Sequence, residues 1–328
     1  MRYLFFDIEC ANCNNGLGKM CSFGYVICDT EFNVIKKEDI LINPDAKFSY
    51  GIYCNKYITL GYPLEEFINK PKFDYFYPKI KEILTYPDQI VIGHAINNDV
   101  NFLLCEYERY NLPILKYDFF DSQELYRILT KDTQHKRLAT ICEELAIEIG
   151  VEHRSDEDAL MTCQIMEKIC ENNATTLPEL FENNPTSGHK MESAIARYDK
   201  RKTLLLFTEF VKSVCPQHKQ HRTNEDIMGK TFCFSRKLEV VDFPKMAQLI
   251  QIVVDVGGYY TSKVEKCDYF VRSRNRCDKL HKAKEIVKNN ENKLQIISFT
   301  DFQKMSKIKW STLPEMDMQE ILKNKRNK

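Results

Sequence analysis

The chain has 328 residues, enough for two domains that each bury a core. Its 43% hydrophobic and 29% charged residues are an ordinary globular balance, which excludes a fibrous or disordered chain. Lysine plus arginine equals aspartate plus glutamate at 47 each, which excludes a strongly basic nucleic-acid coat. Any grip on phosphate must then come from a local patch or from bound cations. No run approaches the roughly 18 apolar residues of a membrane span. The chain opens on a strand-like run without a signal-peptide pattern, and its 13 cysteines are an odd number scattered through apolar segments. Both features predict a cytoplasmic protein with reduced thiols.

In chain order, residues 3–8 (YLFFDI), 21–29 (CSFGYVICD) and 33–42 (NVIKKEDILI) predict an antiparallel meander. A helix follows over 75–85, with Pro87 as its stop, then a short strand over 89–95. Asn98 is the expected cap of a helix to about Tyr110, ended by Asn111 and Pro113. Two more helices are predicted over 121–129 and 137–146, and Asp156 is the expected cap of a helix to Glu171. Strands first, then alternation, predicts an α/β domain with a mixed sheet over 1–172. The polar stretch ENNATTLPELFENNPTSGH predicts a linker over 173–227, with a helical piece in 192–214. A second compact α/β pattern occupies 228–306. Its strands TFCFS, KCDYFVR and LQIIS alternate with the helices FPKMAQLIQIVVDVGG, KLHKAKEIVKNN and TDFQKM. Residues 307–328 are a tail.

In the first strand, side chains alternate, so Asp7 and Glu9 share a face with Tyr3 and Phe5 behind them. Two close anions repel unless something positive sits between them. Carboxylate-only sites favour Mg²⁺ or Mn²⁺ over zinc. Alone, such a pair reads as two solvated acids at a strand end. It is not alone. GHAINNDVNFLL places Asp99 early in a helix, and HRSDEDALMTC places His153 five residues before Asp158. Taken singly, the two aspartates read as first-turn helix acids and His153 as a loop histidine.

The order D-x-E, D, H-x₄-D, carried by Asp7 and Glu9 in FFDIE, Asp99 in GHAINNDVNFL, and His153 and Asp158 in HRSDEDA, resembles the histidine branch of the DEDD exonuclease superfamily. The resemblance covers residues 1–172. It implies a ribonuclease-H-like fold and 3′→5′ hydrolysis of nucleic acid to nucleoside 5′-monophosphates. It also implies two metal ions, Mg²⁺ or Mn²⁺, about 4 Å apart. Asp7 would be shared, Glu9 and Asp158 would complete one ion, and Asp99 would support the other. His153 would be the general base, its ordinary pKa near about 6.5 suiting proton removal at neutral pH. The chain departs from the family at CANCNNGLGKMC, where a Thr-rich turn is usual, and at Ala95 and Asn98.

Residues 228–306 resemble a BRCT domain through the first strand, Gly257-Gly258, the strand DYFV and KLHKAKE. That resemblance implies a protein partner, a phosphorylated group or a DNA end. Ser235 and Lys279 match the phosphate pocket of the phosphate-binding kind, and Arg236, in place of its glycine, is a candidate to reach the anion itself. The same residues read equally as the surface of a purely structural module. The basic set Arg272, Arg274, Arg276, Lys279, Lys282 and Lys284 leans toward an anionic partner.

Cys10, Cys13 and Cys21, and Cys215, His218 and His221, each lack the fourth ligand of a structural zinc site. Gly16-x-Gly18-Lys19 is too short for a phosphate loop. His94 reads as a packing or hydrogen-bonding residue. The expectation is therefore a DNA exonuclease recruited to repair or replication through its second domain. The alternatives are a 3′→5′ exoribonuclease, or a catalytically silent binding protein.

Overall fold

The computed structural model describes residues 1–14, 17–49, 52–53, 56–57, 59–214, 224–274, 277–289 and 294–316. Gly16, Cys215, His218, His221, Arg276 and the tail from 317 lie outside the described residues. The chain divides into two units, Met1–Tyr198 and Asp199–Lys328. No helix among the described residues is long and apolar enough to cross a membrane.

The first unit opens with three strands, β1 (Arg2–Asn14), β2 (Leu17–Cys28) and β3 (Val34–Leu41). They pair antiparallel, as the strand composition predicts. Then come a small hairpin, β4 (Ile52–Tyr53) and β5 (Lys56–Tyr57), and helices α1 (Glu65–Ile68) and α2 (Phe73–Leu84). Strand β6 (Gln89–Gly93) lies parallel to β1 and leads into α3 (Asn97–Arg109). Strand β7 (Asp118–Asp121) is followed by α4 (Ser122–Thr130), α5 (Leu138–Glu144) and α6 (Ser155–Asn173). The sheet order is β3-β2-β1-β6-β7 with one further strand beyond β7.

That last strand comes from the segment expected to be a linker. Helix α7 (Leu177–Asn183), strand β8 (Gly188–Lys190) and helix α8 (Met191–Val214) occupy most of it. Strand β8 pairs antiparallel with β7, and Phe181 stacks on Phe120 with ring centroids 4.0 Å apart. The polar residues that suggest a linker are helix-start devices. The Thr176 amide donates to the Glu179 carboxylate at 3.0 Å, and Pro178 sits in the first turn.

The alternation along β1 splits the core in two. Leu4, Phe6 and Ile8 pack with α2 and α3, whereas Tyr3 and Phe5 pack with α6 and α7. Helices therefore cover both faces of a mixed sheet, the layered α/β arrangement expected from the strand and helix order. On the outer strand β3, burial opposes ionisation of Glu38, but hydrogen bonds from Lys79, Tyr25 and Lys36 outweigh it and hold its pKa at about 2. A depressed carboxylate stabilises the fold above its ordinary pKa, and that stability is lost as pH falls towards about 2. Glu38→Gln is expected to be less stable than wild type at neutral pH. Acid titrations of urea stability should show the gap closing as pH drops through that window.

The second unit holds a four-stranded parallel sheet. Its elements are β9 (Thr231–Phe234), α9 (Arg236–Val241), α10 (Phe243–Asp255), β10 (Tyr259–Tyr260), β11 (Tyr269–Arg272), α11 (Asp278–Lys288), β12 (Gln295–Ser298) and α12 (Phe299–Ser306). The order is β10-β9-β11-β12, and every pair is parallel. Gly257 follows α10 with φ of 89°, a backbone that glycine adopts without steric cost.

Candidate active site

Asp7 and Glu9 lie on β1, opposite Gly24 and Ser22 of β2. Cross-strand partners share a face, so both carboxylates face the α6 side of the sheet. Bulges at Glu9/Cys10 and Cys10/Asn12 follow at once. They let β1 continue to Asn14, so the expected turn after Glu9 is part of a long hairpin instead.

The two helices that bring Asp99 and Asp158 are entered the same way. Ala95 has φ of 53° and His153 φ of 61°, and each helix begins two residues later. Non-glycine residues hold that conformation only where their surroundings impose it. At Ala95 the restraint is Asp121, whose carboxylate accepts the Ala95 amide at 3.1 Å while capping α4. Consequently neither Asn98 nor Asp156 caps its helix; Ile96 and Arg154 hold those positions, and Asp99 and Asp158 stand in the first turns.

Asp99 is 5% exposed, and its Oδ1 accepts the amide of Ile8 at 3.2 Å, which ties α3 to the strand between Asp7 and Glu9. His153 Nδ1 lies 3.5 Å from Glu9 Oε1. Ligand atoms of Glu9, His153 and Asp158 fall within 4.8 Å of one another, the one such group among the described residues. The site thus gathers all five residues singled out from the sequence.

Its electrostatics are those of crowded anions. Burial, then Asp99, Asp158 and Glu9, push the Asp7 carboxyl well above the usual carboxylate range. Burial and then Glu9 do the same to Asp99, against backbone hydrogen bonds at Asp99 and Ile8. Asp158 is pushed up to about 7, by burial first and Glu9 second. The hydrogen bond to Glu9 raises the pKa of His153. Carboxylates that resist ionising because they face each other are a donor set that a divalent cation fits.

Sequence reasoning missed several supporting residues. Gly24 gives α6 its approach to the sheet, because a β-carbon there would lie 2.1 Å from the Asp156 nitrogen and the Ser155 carbonyl carbon. A polar cluster of Ser22, Asp39, Tyr62 and Ser155 lies beside Glu9. Only a glycine amid strand residues hinted at the first. His94 behaves as expected of a hydrogen-bonding residue. Burial lowers its pKa to about 4, and it meets Ser122 at 3.2 Å and Gln123 at 3.4 Å.

In the second unit Ser235 is fully buried, and its hydroxyl accepts the Ser273 amide at 3.1 Å. Lys279 Nζ donates to both Glu239 oxygens, at 2.7 and 2.9 Å, and to the Phe234 carbonyl at 3.3 Å. Glu239 also accepts from the Tyr260 hydroxyl at 2.7 Å. Arg236 is exposed, and Lys282 pairs with Glu265 at 3.0 Å. The lysine expected in a phosphate pocket is therefore engaged by an internal carboxylate. The Glu239 side chain is 3% exposed, so Lys279→Met strands a buried anion. Such a loss is expected to cost about 3 kcal/mol, read as a lowered unfolding midpoint of the second unit. Glu239→Gln with Lys279→Met should recover part of it.

A family model described as "Exonuclease" matches residues 4–166. Residues 4–166 are an exonuclease-family domain. Two curated proteins resemble this domain. The 3′-5′ exonuclease DinG of Staphylococcus epidermidis is 27% identical over 107 residues, 33% of this chain and 12% of that protein. The DNA polymerase III PolC-type of Caldanaerobacter subterraneus is 25% identical over 171 residues, 52% of this chain and 12% of the polymerase. The chain thus spans about an eighth of the length of each. A solved 3′-exonuclease bound to a histone mRNA stem-loop is 14% identical, with a TM-score of 0.45 over 53% of this chain and 84% of its own.

Proposed function

We propose that this chain is a metal-dependent 3′→5′ exonuclease that hydrolyses DNA to nucleoside 5′-monophosphates. The observation that carries this reading is the convergence of Asp7, Glu9, Asp99, His153 and Asp158 inside an exonuclease-family domain. The DNA-polymerase name of one curated relative favours DNA over RNA.

In this reading Asp7, Glu9, Asp99 and Asp158 would hold two Mg²⁺ or Mn²⁺ ions. Bound there, the cations would acidify a water and offset charge on the phosphate and the leaving oxygen. With Nδ1 of His153 on Glu9, Nε2 remains to take the proton of the attacking water. His153 is 41% exposed in its side chain, so the proton can pass on to solvent. Asp99, held on the Ile8 amide, keeps its carboxylate beside Asp7. The 3′-terminal phosphodiester would enter over these groups, and release of a mononucleotide resets the site.

We further propose that the second unit is a BRCT-like module that recruits the enzyme to DNA ends or to repair and replication partners. Its parallel sheet flanked by helices supports that reading. The pairing of Lys279 with Glu239 argues for recruitment by a surface other than the Ser235–Lys279 pocket.

The test is digestion of 5′-labelled single-stranded DNA and RNA of one sequence, with Mg²⁺, Mn²⁺ or EDTA. A metal-dependent ladder that shortens from the 3′ end and runs faster on DNA is expected. A faster RNA ladder would transfer the reading to an exoribonuclease. No ladder on either strand would leave a binding protein.

A further inference from the structure

The histidine assigned as base sits on an unfavourable backbone, and the structure shows what holds it there. Tyr62 is 7% exposed. Its hydroxyl donates to Asp39 Oδ2 at 2.5 Å and accepts the Ser155 amide at 2.9 Å. The Ser22 and Ser155 hydroxyls lie 3.1 Å from the same oxygen, and Ser22 and Ser155 also hydrogen-bond each other. The neighbouring Gly61 amide donates to the His153 carbonyl at 2.9 Å. The Arg154 guanidinium lies over the Tyr62 ring, 5.4 Å from its centroid. Gly61 and Tyr62 therefore grip His153, Arg154 and Ser155 in succession. Asp39 anchors that grip to β3, on the same cross-strand row as Gly24 and Asp7.

We propose that Tyr62 is a positioning residue for His153: through its hydroxyl it holds residues 153–155 so that the imidazole stands at Glu9 and Asp158. Tyr62 touches none of the metal-ligand candidates by a hydrogen bond, so it acts through the loop and not on substrate. The peptide after His153 is held through its carbonyl by Gly61, and the next one through the Ser155 amide by Tyr62, on the loop that carries the positive φ at His153. The inference rests on His153 being the base.

The experiment is a double-mutant cycle on 5′-labelled single-stranded DNA with Mn²⁺, comparing wild type, Tyr62→Phe, His153→Ala and the double variant. Tyr62→Phe keeps the ring and removes one oxygen. It is expected to lower kcat about tenfold with KM within about twofold, the scale of losing a partner that orients a site residue. In the His153→Ala background the same change should cost nothing further, because residues acting as a unit are non-additive. An equal loss in both backgrounds, or no loss in either, overturns the inference alone. His153→Ala as active as wild type, or a wild type without activity, overturns the base assignment and this inference with it. Should Tyr62→Phe lose its far-ultraviolet dichroism, Asp39→Asn, which preserves shape, is read through the same cycle with the same two outcomes.

Discussion

Gly24→Ala is expected to lower both stability and activity more than any other single-methyl change in the first unit. The added carbon would sit 2.1 Å from two backbone atoms of Ser155 and Asp156, and 2.5 Å from the Ser155 oxygen. Ordinary contacts are well over an ångström longer, and backbone atoms cannot rotate aside as a side chain can. The amino end of α6 must therefore retreat from β2. Overpacking of this kind costs about 3 kcal/mol. The same retreat moves Asp158 away from Glu9 and Asp7, and a shift of about 1 Å in a reacting site costs on the order of a hundredfold in rate. Thermal melts and kcat/KM on labelled DNA measure the two effects. An alanine variant with wild-type melting and wild-type turnover would show that α6 does not owe its position to this glycine.

Asp7→Asn is expected to do the opposite to stability while abolishing activity. Asp7 stands beside Asp99, Asp158 and Glu9, and its ionisation is opposed by all three after burial. Removing its charge relieves repulsion, so in EDTA the variant should be more stable than wild type by about 1 kcal/mol, less than one pKa unit of interaction. In Mg²⁺ the difference should shrink or reverse, because the cations stabilise only a protein that binds them. Turnover should fall about a thousandfold or more, equivalent to roughly 4 kcal/mol of transition-state stabilisation. Paired melts with EDTA and Mg²⁺ test this without any substrate. A variant less stable than wild type in EDTA would mean that the carboxylate is structural.

What could be read without the structure was local in origin. The antiparallel meander, the helix that carries Asp99 and the helix that carries Asp158 each announce themselves through periodicity over a few residues. So does the shared face of Asp7 and Glu9, because strand side chains alternate whatever the strand pairs with. Singly, Asp7, Glu9, Asp99, His153 and Asp158 read as ordinary acids and a loop histidine; their order along the chain, and the family that order resembles, set them apart.

The remainder was decided by partners remote in the chain. Strand β8 has three residues and no pattern of its own; it is a strand because β7 offers an open edge. The polar run before it suggested a linker because caps and linkers draw on the same residues. Lys279 reads from its sequence neighbours equally as a phosphate ligand or a surface lysine; that Glu239, forty positions earlier, pairs with it is set by the fold. Nothing around residue 24 tells that α6 will press against it, and nothing around residue 153 tells that Tyr62 will hold the loop. The sequence by itself therefore determined the strands, the helices and the chemical groups they carry, since those follow from short-range sterics and amphipathic spacing. The tertiary structure alone decided how closely the groups meet and what keeps them there, since close approach, buried pairing and a left-handed histidine are all set by contacts across the fold.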